Sequence, residues 1–280
     1  MKIGVRVHDF GKSNAQTLAK QAKAVGFDGV QFVINKAIEG ETGKAGTLND
    51  EKVKAFADAF HNEGLDIVML GAYFNPVHSN KDLVKENILK FKEHLSLEHE
   101  FHTKYVGTET GSFNDDKWTY NPLNRTEDAF QEVKRIFKDL ANTAEANNAR
   151  MAIEGAFGHC MYCPEALHRL VSEINSPNVY YICDIYNYLA ISNYQDQRKI
   201  LDECLELFKN RIVIYHLKDF VVEGEALKQV AIGTGLMDYD YILPKIKKAT
   251  PNAYLIFEGS KPEDMQFSYN FIKNKFEEIK

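Results

Sequence analysis

Short apolar runs alternate with stretches of helical periodicity eight times along this chain, and that alternation admits few folds. The runs are rich in β-branched and aromatic residues and read Lys2–His8, Gly29–Ile34, Asp66–Gly71, Lys104–Glu109, Arg150–Glu154, Val179–Asp184, Ile212–His216 and Ala253–Glu258. Runs of this kind, separated by helices, are the buried parallel strands of βαβ units. The helices carry ordinary boundary signals. Ser13 or Asn14 caps the first, which ends at Gly26; Asp50–Glu63 is closed by Gly64; Pro164 opens another in the favoured first position. The remaining helices are read as Asp82–His102, Thr126–Ala146, Gln195–Lys209, Asp238–Lys248 and a last one from Pro262. Eight units close a parallel sheet, so residues 1–280 are expected to form one α/β domain, a single (β/α)8 TIM barrel. An open doubly wound sheet is the alternative, but no Gly-x-Gly-x-x-Gly follows the first strand.

The last four runs end in residues that packing does not explain. They read Met-Ala-Ile-Glu154, Tyr-Tyr-Ile-Cys-Asp184, Val-Ile-Tyr-His216 and Leu-Ile-Phe-Glu258. A parallel strand can hold a polar residue at its carboxyl end, where it meets a cleft, but not in mid-strand, where a charge would lie in the core. Counting back two residues from each gives Ala152, Ile182, Ile214 and Ile256, on the same face as the polar residue. The other face carries Met151, Ile153, Tyr181, Cys183, Val213, Tyr215, Leu255 and Phe257. Both faces are thus apolar below a polar rim, as in a barrel ringed by helices. One such residue alone reads as a helix cap or an ion pair; four at matching positions on consecutive strands read as a metal site. Three carboxylates and one imidazole suit one Mn²⁺, Mg²⁺ or Co²⁺ ion, with Zn²⁺ also compatible.

Weaker candidates surround these. His8 shares a face with Arg6 on the first strand and is read as a ligand contact or a hydrogen-bonded rim histidine. Glu109 ends the fourth strand, to bind a substrate hydroxyl or pair with Lys218. His159 lies in the loop after Glu154, Asn187 three residues past Asp184, and Lys218 two past His216, where it can hold an oxyanion. Gly233-Thr-Gly235 reads as a phosphate cradle or simply a turn. Loops Asn35–Thr47 and Gly111–Arg125 are placed over the site, the second bringing Phe113, Trp118 and Tyr120 as a lid or a subunit contact. Cys160-Met-Tyr-Cys163 has no second pair to complete a zinc site, and Cys183 and Cys204 are read as core residues.

Net charge is −6, with Lys and Arg dispersed along the chain, which argues against a nucleic-acid surface. There is no apolar leader and no apolar run long enough to span a membrane, so a cytoplasmic protein without membrane partners is expected. Oligomeric state is left open, a homo-oligomer included.

The order Glu…Asp…His…Glu on strands five to eight resembles the xylose isomerase-like barrel superfamily, the sugar phosphate isomerase/epimerase group. So do Cys183-Asp184-x-x-Asn187, His216-Leu-Lys-Asp219, Phe257-Glu258-Gly259 and Gly233-x-Gly235 to Asp238. The resemblance implies a divalent metal on Glu154, Asp184, His216 and Glu258 and a small carbohydrate substrate. It also implies two further duties: Glu154 and Glu258 act as proton acceptor and donor on either side of an enediolate. Return of the proton to the other face is epimerisation, and to the neighbouring carbon, isomerisation. Polyol dehydration by the same chemistry and a non-catalytic ligand-binding barrel are the alternatives. Ketose epimerases of this group commonly carry His where this chain has Asn187. Endonuclease IV, a three-zinc nuclease of the superfamily, needs that His and an Asp-x-His after the seventh strand; neither is present.

Overall fold

The computed structural model describes residues 1–279. Its strands are β1 (Lys2–Arg6), β2 (Gly29–Phe32), β3 (Asp66–Gly71), β4 (Val106–Glu109), β5 (Met151–Glu154), β6 (Val179–Cys183), β7 (Ile212–Leu217), a hairpin of β8 (Asp219–Glu223) and β9 (Ala226–Val230), and β10 (Tyr254–Phe257). Eight of them pair in parallel as a closed ring, β1-β10-β7-β6-β5-β4-β3-β2, with the hairpin outside it. Helices cover the ring. Asn14, Asn49 and Thr126 cap three of them by accepting a backbone N–H from the first turn. Gly26 ends the first helix in the left-handed region, φ 110, where a Cβ is costly. No described helix is long and apolar enough to cross a membrane.

Two apolar clusters follow the period-two alternation. Ala152, Ile182, Ile214 and Ile256, with Val68, Met69 and Tyr254, fill the barrel interior. Met151, Ile153, Tyr181, Cys183, Tyr215, Leu255 and Phe257 belong to the layer between strands and helices. The side chains two residues below each polar strand end therefore form its floor. Val213 departs from the expected parity and packs on the interior cluster. The β6–β7 register shifts between Tyr181 and Ile182, which pair with Ile212 and Ile214, so Val213 is left opposite no residue.

Other boundaries are shorter than the apolar runs suggest. The first strand stops at Arg6 and becomes a 3₁₀ turn, Val7–Phe10, so His8 lies on a turn. The second stops at Phe32 before a short helix, Ile34–Ala37. The helix expected over Asp82–His102 ends at Ser96. The β8–β9 hairpin was read only as connecting chain. Its second strand, Ala-Leu-Lys-Gln-Val, has no buried residue, so no apolar alternation marked it.

Candidate metal centre and the cavity above it

Glu154 ends β5, Asp184 follows β6, His216 lies in β7 and Glu258 follows β10; all four are buried. One candidate ligand atom from each lies within 4.8 Å of the others. His216 Nδ1 is 2.8 Å from Glu258 Oε2, 3.1 Å from Glu154 Oε2 and 3.8 Å from Asp184 Oδ2. Apart from these contacts with one another, and the Lys218 ammonium 2.7 Å from Asp184 Oδ2, the four atoms have no polar partner. The remaining polar atom of each side chain is tied down from outside. Asn187 Nδ2 donates to Glu154 Oε1 at 2.6 Å, and the Asn187 backbone N–H to Asp184 Oδ1 at 3.0 Å. Arg6 Nη1 donates to Glu258 Oε1 at 2.6 Å. His216 Nε2 lies 2.7 Å from Gln31 Oε1.

Buried polar atoms are normally paired, and an orphan costs about 1–3 kcal/mol. Four orphans facing one another, three of them anionic oxygens, are what a single divalent cation satisfies. The residues present therefore fit the metal that the strand-end pattern implied. The support of His216 fixes its tautomer. Gln31 gives its amide hydrogens to Tyr73 Oη at 2.7 Å, which turns its oxygen toward His216. When the imidazole is neutral its one proton is then on Nε2, which leaves the Nδ1 lone pair to face the centre.

Electrostatics separate the two glutamates. Burial raises the Glu154 carboxyl, and His216 only partly offsets it. Burial would raise Glu258 too, but Lys218, His216 and Arg6 hold it well below the usual range. Burial opposes the His216 imidazolium, yet Glu154 and Glu258 outweigh it and raise its pKa well above normal. In the metal-free protein the imidazolium thus supplies a positive charge among the carboxylates. Lys218 supplies another: Nζ lies 2.7 Å from Asp184 Oδ2, off the hydrogen-bonding direction, and donates to Asn187 Oδ1 at 2.9 Å.

Above the cluster, Arg6, His8, Tyr73, Glu109 and Glu258 line a cavity of about 360 Å³. A second, of about 450 Å³, is lined by Glu109, His159 and Asn187 among others. His8, Glu109, His159 and Asn187 thus all reach cavity space, whereas Lys218 is turned into the carboxylates. Glu109 does not pair with Lys218, whose ion pairs go to Asp184 and Glu258. Burial first, then Glu154 and Glu258, raises the Glu109 carboxyl well above its ordinary value. Burial lowers His8 to about 3 and His159 to about 4, so both rings are neutral at pH 7. Neither belongs to the cluster of four.

The Gly233-Thr-Gly235 segment is a turn. The N–H groups of Gly233, Gly235 and Met237 donate to the Asp219 carboxylate at 2.9–3.0 Å, which takes up the donors a phosphate would need. Cys160 and Cys163 are free, and burial pushes their thiols up to about 12 and about 11. The loop Gly111–Arg125 is fastened rather than loose. Arg125 donates to the carbonyls of Phe157 and His159, and Asn124 to that of Gly158. Trp118 lines both cavities, while Tyr120 is 52% exposed.

Sequence reasoning missed Gln31, the one polar side chain of Gly-Val-Gln-Phe in a fully buried strand, and that isolation was its signal. It also missed Tyr73, two residues past β3. Arg6 was noted, but its hold on Glu258 was not legible. Its guanidinium also binds Asp9 through Nε at 2.8 Å, and Asp9 accepts the Gly259 N–H.

The barrel, with a buried Glu–Asp–His–Glu cluster at the carboxyl ends of its strands, defines a class of enzymes that work at the mouth of a (β/α)8 fold. The chain belongs to the family described as xylose isomerase-like TIM barrel, which it matches over residues 19–275. No curated protein sequence matches it. Among solved structures it is similar to a D-tagatose 3-epimerase-like protein, with 17% identity, 100% of this chain and 98% of that one covered, and TM-score 0.78. It is also similar to 3-keto-D-glucoside 4-epimerase from E. coli (16%, 98% and 99%, 0.72) and to endonuclease IV from Thermus thermophilus (16%, 99% and 100%, 0.72). At such identities these likenesses concern the fold. Those similar structures are an epimerase-like protein, an epimerase and a nuclease, so the reaction has to be argued from the side chains.

Proposed function

We propose that the protein is a divalent-metal-dependent epimerase or isomerase of a ketose or ketose derivative. The observation that carries this reading is that two carboxylates, Glu154 and Glu258, share one buried cluster of four converging ligand atoms beneath a small-molecule cavity. Glu154, Asp184, His216 and Glu258 would hold the ion, with Mn²⁺, Mg²⁺ or Co²⁺ preferred over Zn²⁺ for this oxygen-rich set. A bound ion would polarise a substrate carbonyl and so acidify the adjacent C–H.

The chain's own groups divide the proton work. Glu154 Oε1 is held by a neutral amide and Glu258 Oε1 by a guanidinium. Glu154 is therefore the stronger base and takes the carbon-bound proton. Glu258, whose conjugate acid is the stronger acid, returns one. Asn187 keeps Glu154 in place, and the Glu109, His8 and His159 side chains offer hydrogen bonds to substrate hydroxyls. The four cysteines are all free, in keeping with a reducing cytoplasm. Lack of further metal clusters among the described residues and the net negative charge count against apurinic-site cleavage.

One observation favours a second reading, dehydration of a polyol. Glu109 lines the cavity with a raised carboxyl and no ion pair, placed to protonate a departing hydroxyl. A panel of ketoses and inososes in deuterated water with Mn²⁺, followed by NMR, separates these. Deuterium beside the carbonyl with a new stereocentre means epimerase, a new aldose means isomerase, and loss of water means lyase. Absence of exchange into every compound would contradict both readings and leave a ligand-binding barrel.

A further inference from the structure

The strand parity that brings the cluster residues to one mouth of the barrel also fixes what lies at the other. Four positions before Glu109, Glu154, Asp184 and Glu258, on the same inward faces, stand Tyr105, Arg150, Tyr180 and Tyr254. Four residues of strand separate the two layers by about 13 Å. Between them lies the apolar plug of Val68, Met69, Ala152, Ile182, Ile214 and Ile256. Beneath the plug, at the amino-terminal ends of the strands, is a cavity of about 410 Å³. Val68 floors it, and Lys104, Tyr105, Arg150, Tyr180 and Tyr254 stand in its walls. That volume takes a small ligand.

We propose that this cavity is a second ligand site, for a small anion that carries a flat ring: an aryl carboxylate or a nucleoside monophosphate. The site is separate from the metal centre, and neither it nor the epimerase reading depends on the other.

Charge and shape support it independently. Val106 pairs with Met151, and the Val106 N–H donates to the Arg150 carbonyl at 2.9 Å, so Tyr105 and Arg150 are neighbours on adjacent strands. Cations at this end of a barrel commonly serve the carboxyl ends of nearby helices. Arg211 does so, donating at 2.7 Å to the Ser176 carbonyl just past the helix Pro164–Ile174. The Lys104 ammonium and the Arg150 guanidinium donate to no carbonyl and pair with no carboxylate among the described residues. The carboxylates at hand are taken, Asp66 by Lys2 at 2.7 Å and by the Tyr254 hydroxyl, and Glu98 by the Arg150 backbone N–H at 3.0 Å. A free guanidinium fork beside a free ammonium suits a carboxylate or a phosphate.

The rings are set before any ligand arrives. Tyr105 and Tyr180 pack edge to face, with centroids 5.4 Å apart and planes at 64°. Tyr254 is held by its hydroxyl on Asp66 and lies so close to Gly29 that a Cβ there would stand 3.2 Å from Tyr254 Cε1. Fixed aromatic walls receive a flat ring at little ordering cost. Closing the floor of a barrel does not call for them. On β7 the matching position, four before His216, is the buried Ile212, which is the apolar filling that closure requires.

Calorimetric titration of the protein, dialysed against Mg²⁺ and freed of excess metal, reads charge and ring separately. The probes are phenylacetate, AMP, inorganic phosphate and benzyl alcohol. Phenylacetate or AMP should bind at least about tenfold more tightly than phosphate and benzyl alcohol, which each carry one of the two features. Preference between the two ring anions tells an aryl acid from a nucleotide. Arg150→Met and Lys104→Met, both at exposed side chains, should each weaken that binding by about tenfold with an unchanged circular dichroism spectrum. Asp184→Asn, at the other mouth, should bind the ring anion as the wild type does. Three results would overturn the proposal: ring anions that bind no better than the single-feature probes, binding indifferent to Arg150→Met and Lys104→Met, or binding lost in Asp184→Asn, which would place the ligand at the metal centre.

Discussion

The two halves of the barrel contribute unlike things to its mouth. β5, β6, β7 and β10 bring Glu154, Asp184, His216 and Glu258, whose ligand atoms face one another. β1 to β4 and the residues just after them bring Arg6, Gln31, Tyr73 and Glu109. Arg6 and Gln31 hold Glu258 and His216 by their outer atoms, and Tyr73 in turn orients Gln31. The interior is divided in the same way. In the second half, inward positions carry Ala152, Ile182, Ile214 and Ile256. In the first half, a Cβ on Gly4 would meet the Ile256 side chain, one on Gly29 that of Val68, and one on Gly107 that of Met69. Glycines of the first half make room for Ile256 of the second half and for Val68 and Met69 of β3. One half supplies the chemistry, and the other supplies the geometry that keeps it aimed.

Substitutions in each half should therefore fail differently. Asp184→Asn removes a ligand oxygen. Mn²⁺ affinity, read by calorimetry, should fall by more than about 100-fold, beyond what loss of a supporting partner costs. Gln31→Leu leaves all four ligands but releases the His216 tautomer, and should weaken Mn²⁺ by about 10- to 100-fold. If both variants lost affinity equally, the division between halves would be wrong.

Acidity sharpens the comparison. His216 is raised well above its usual pKa by Glu154 and Glu258, so the metal-free protein holds that proton at pH 7 and must release it on binding. Mn²⁺ affinity should then rise with pH through neutrality, by up to about tenfold per unit, with about one proton released. A pH-independent affinity would mean that Nδ1 is not a ligand. The smallest effect belongs to the first half's packing. A Cβ at Gly29 would lie 2.8 Å from the Asp66 carbonyl oxygen and 2.8 Å from Val68 Cγ2. Gly29→Ala should cost about 1–3 kcal/mol in urea unfolding while metal stoichiometry stays that of the wild type.

The same division explains what the sequence made legible. In the second half, apolar residues stand two positions below each polar end, so the parity argument found both the interior and all four cluster residues. In the first half, glycines take several inward positions and break the apolar alternation, so Tyr73 had no pattern to stand out from, and Gln31 had only its isolation in a buried strand as a signal. Register also hid things, because the β6–β7 bulge moved Val213. Long-range partnerships were beyond reach. Arg6 meets a glutamate 252 residues away, and nothing local announces that. Lys218 was placed on the right face, but its engagement with Asp184 and Asn187 depended on side-chain geometry at the crowded rim. The hairpin escaped because its second strand is solvated.

The central claim is that Glu154, Asp184, His216 and Glu258 form one metal site. Elemental analysis after dialysis against Mn²⁺, on the wild type and on Glu258→Gln, tests it most directly. About one equivalent per chain in the wild type, lost or strongly reduced in the variant, is the result expected. No specific metal in the wild type, or the same content in both, would contradict the account.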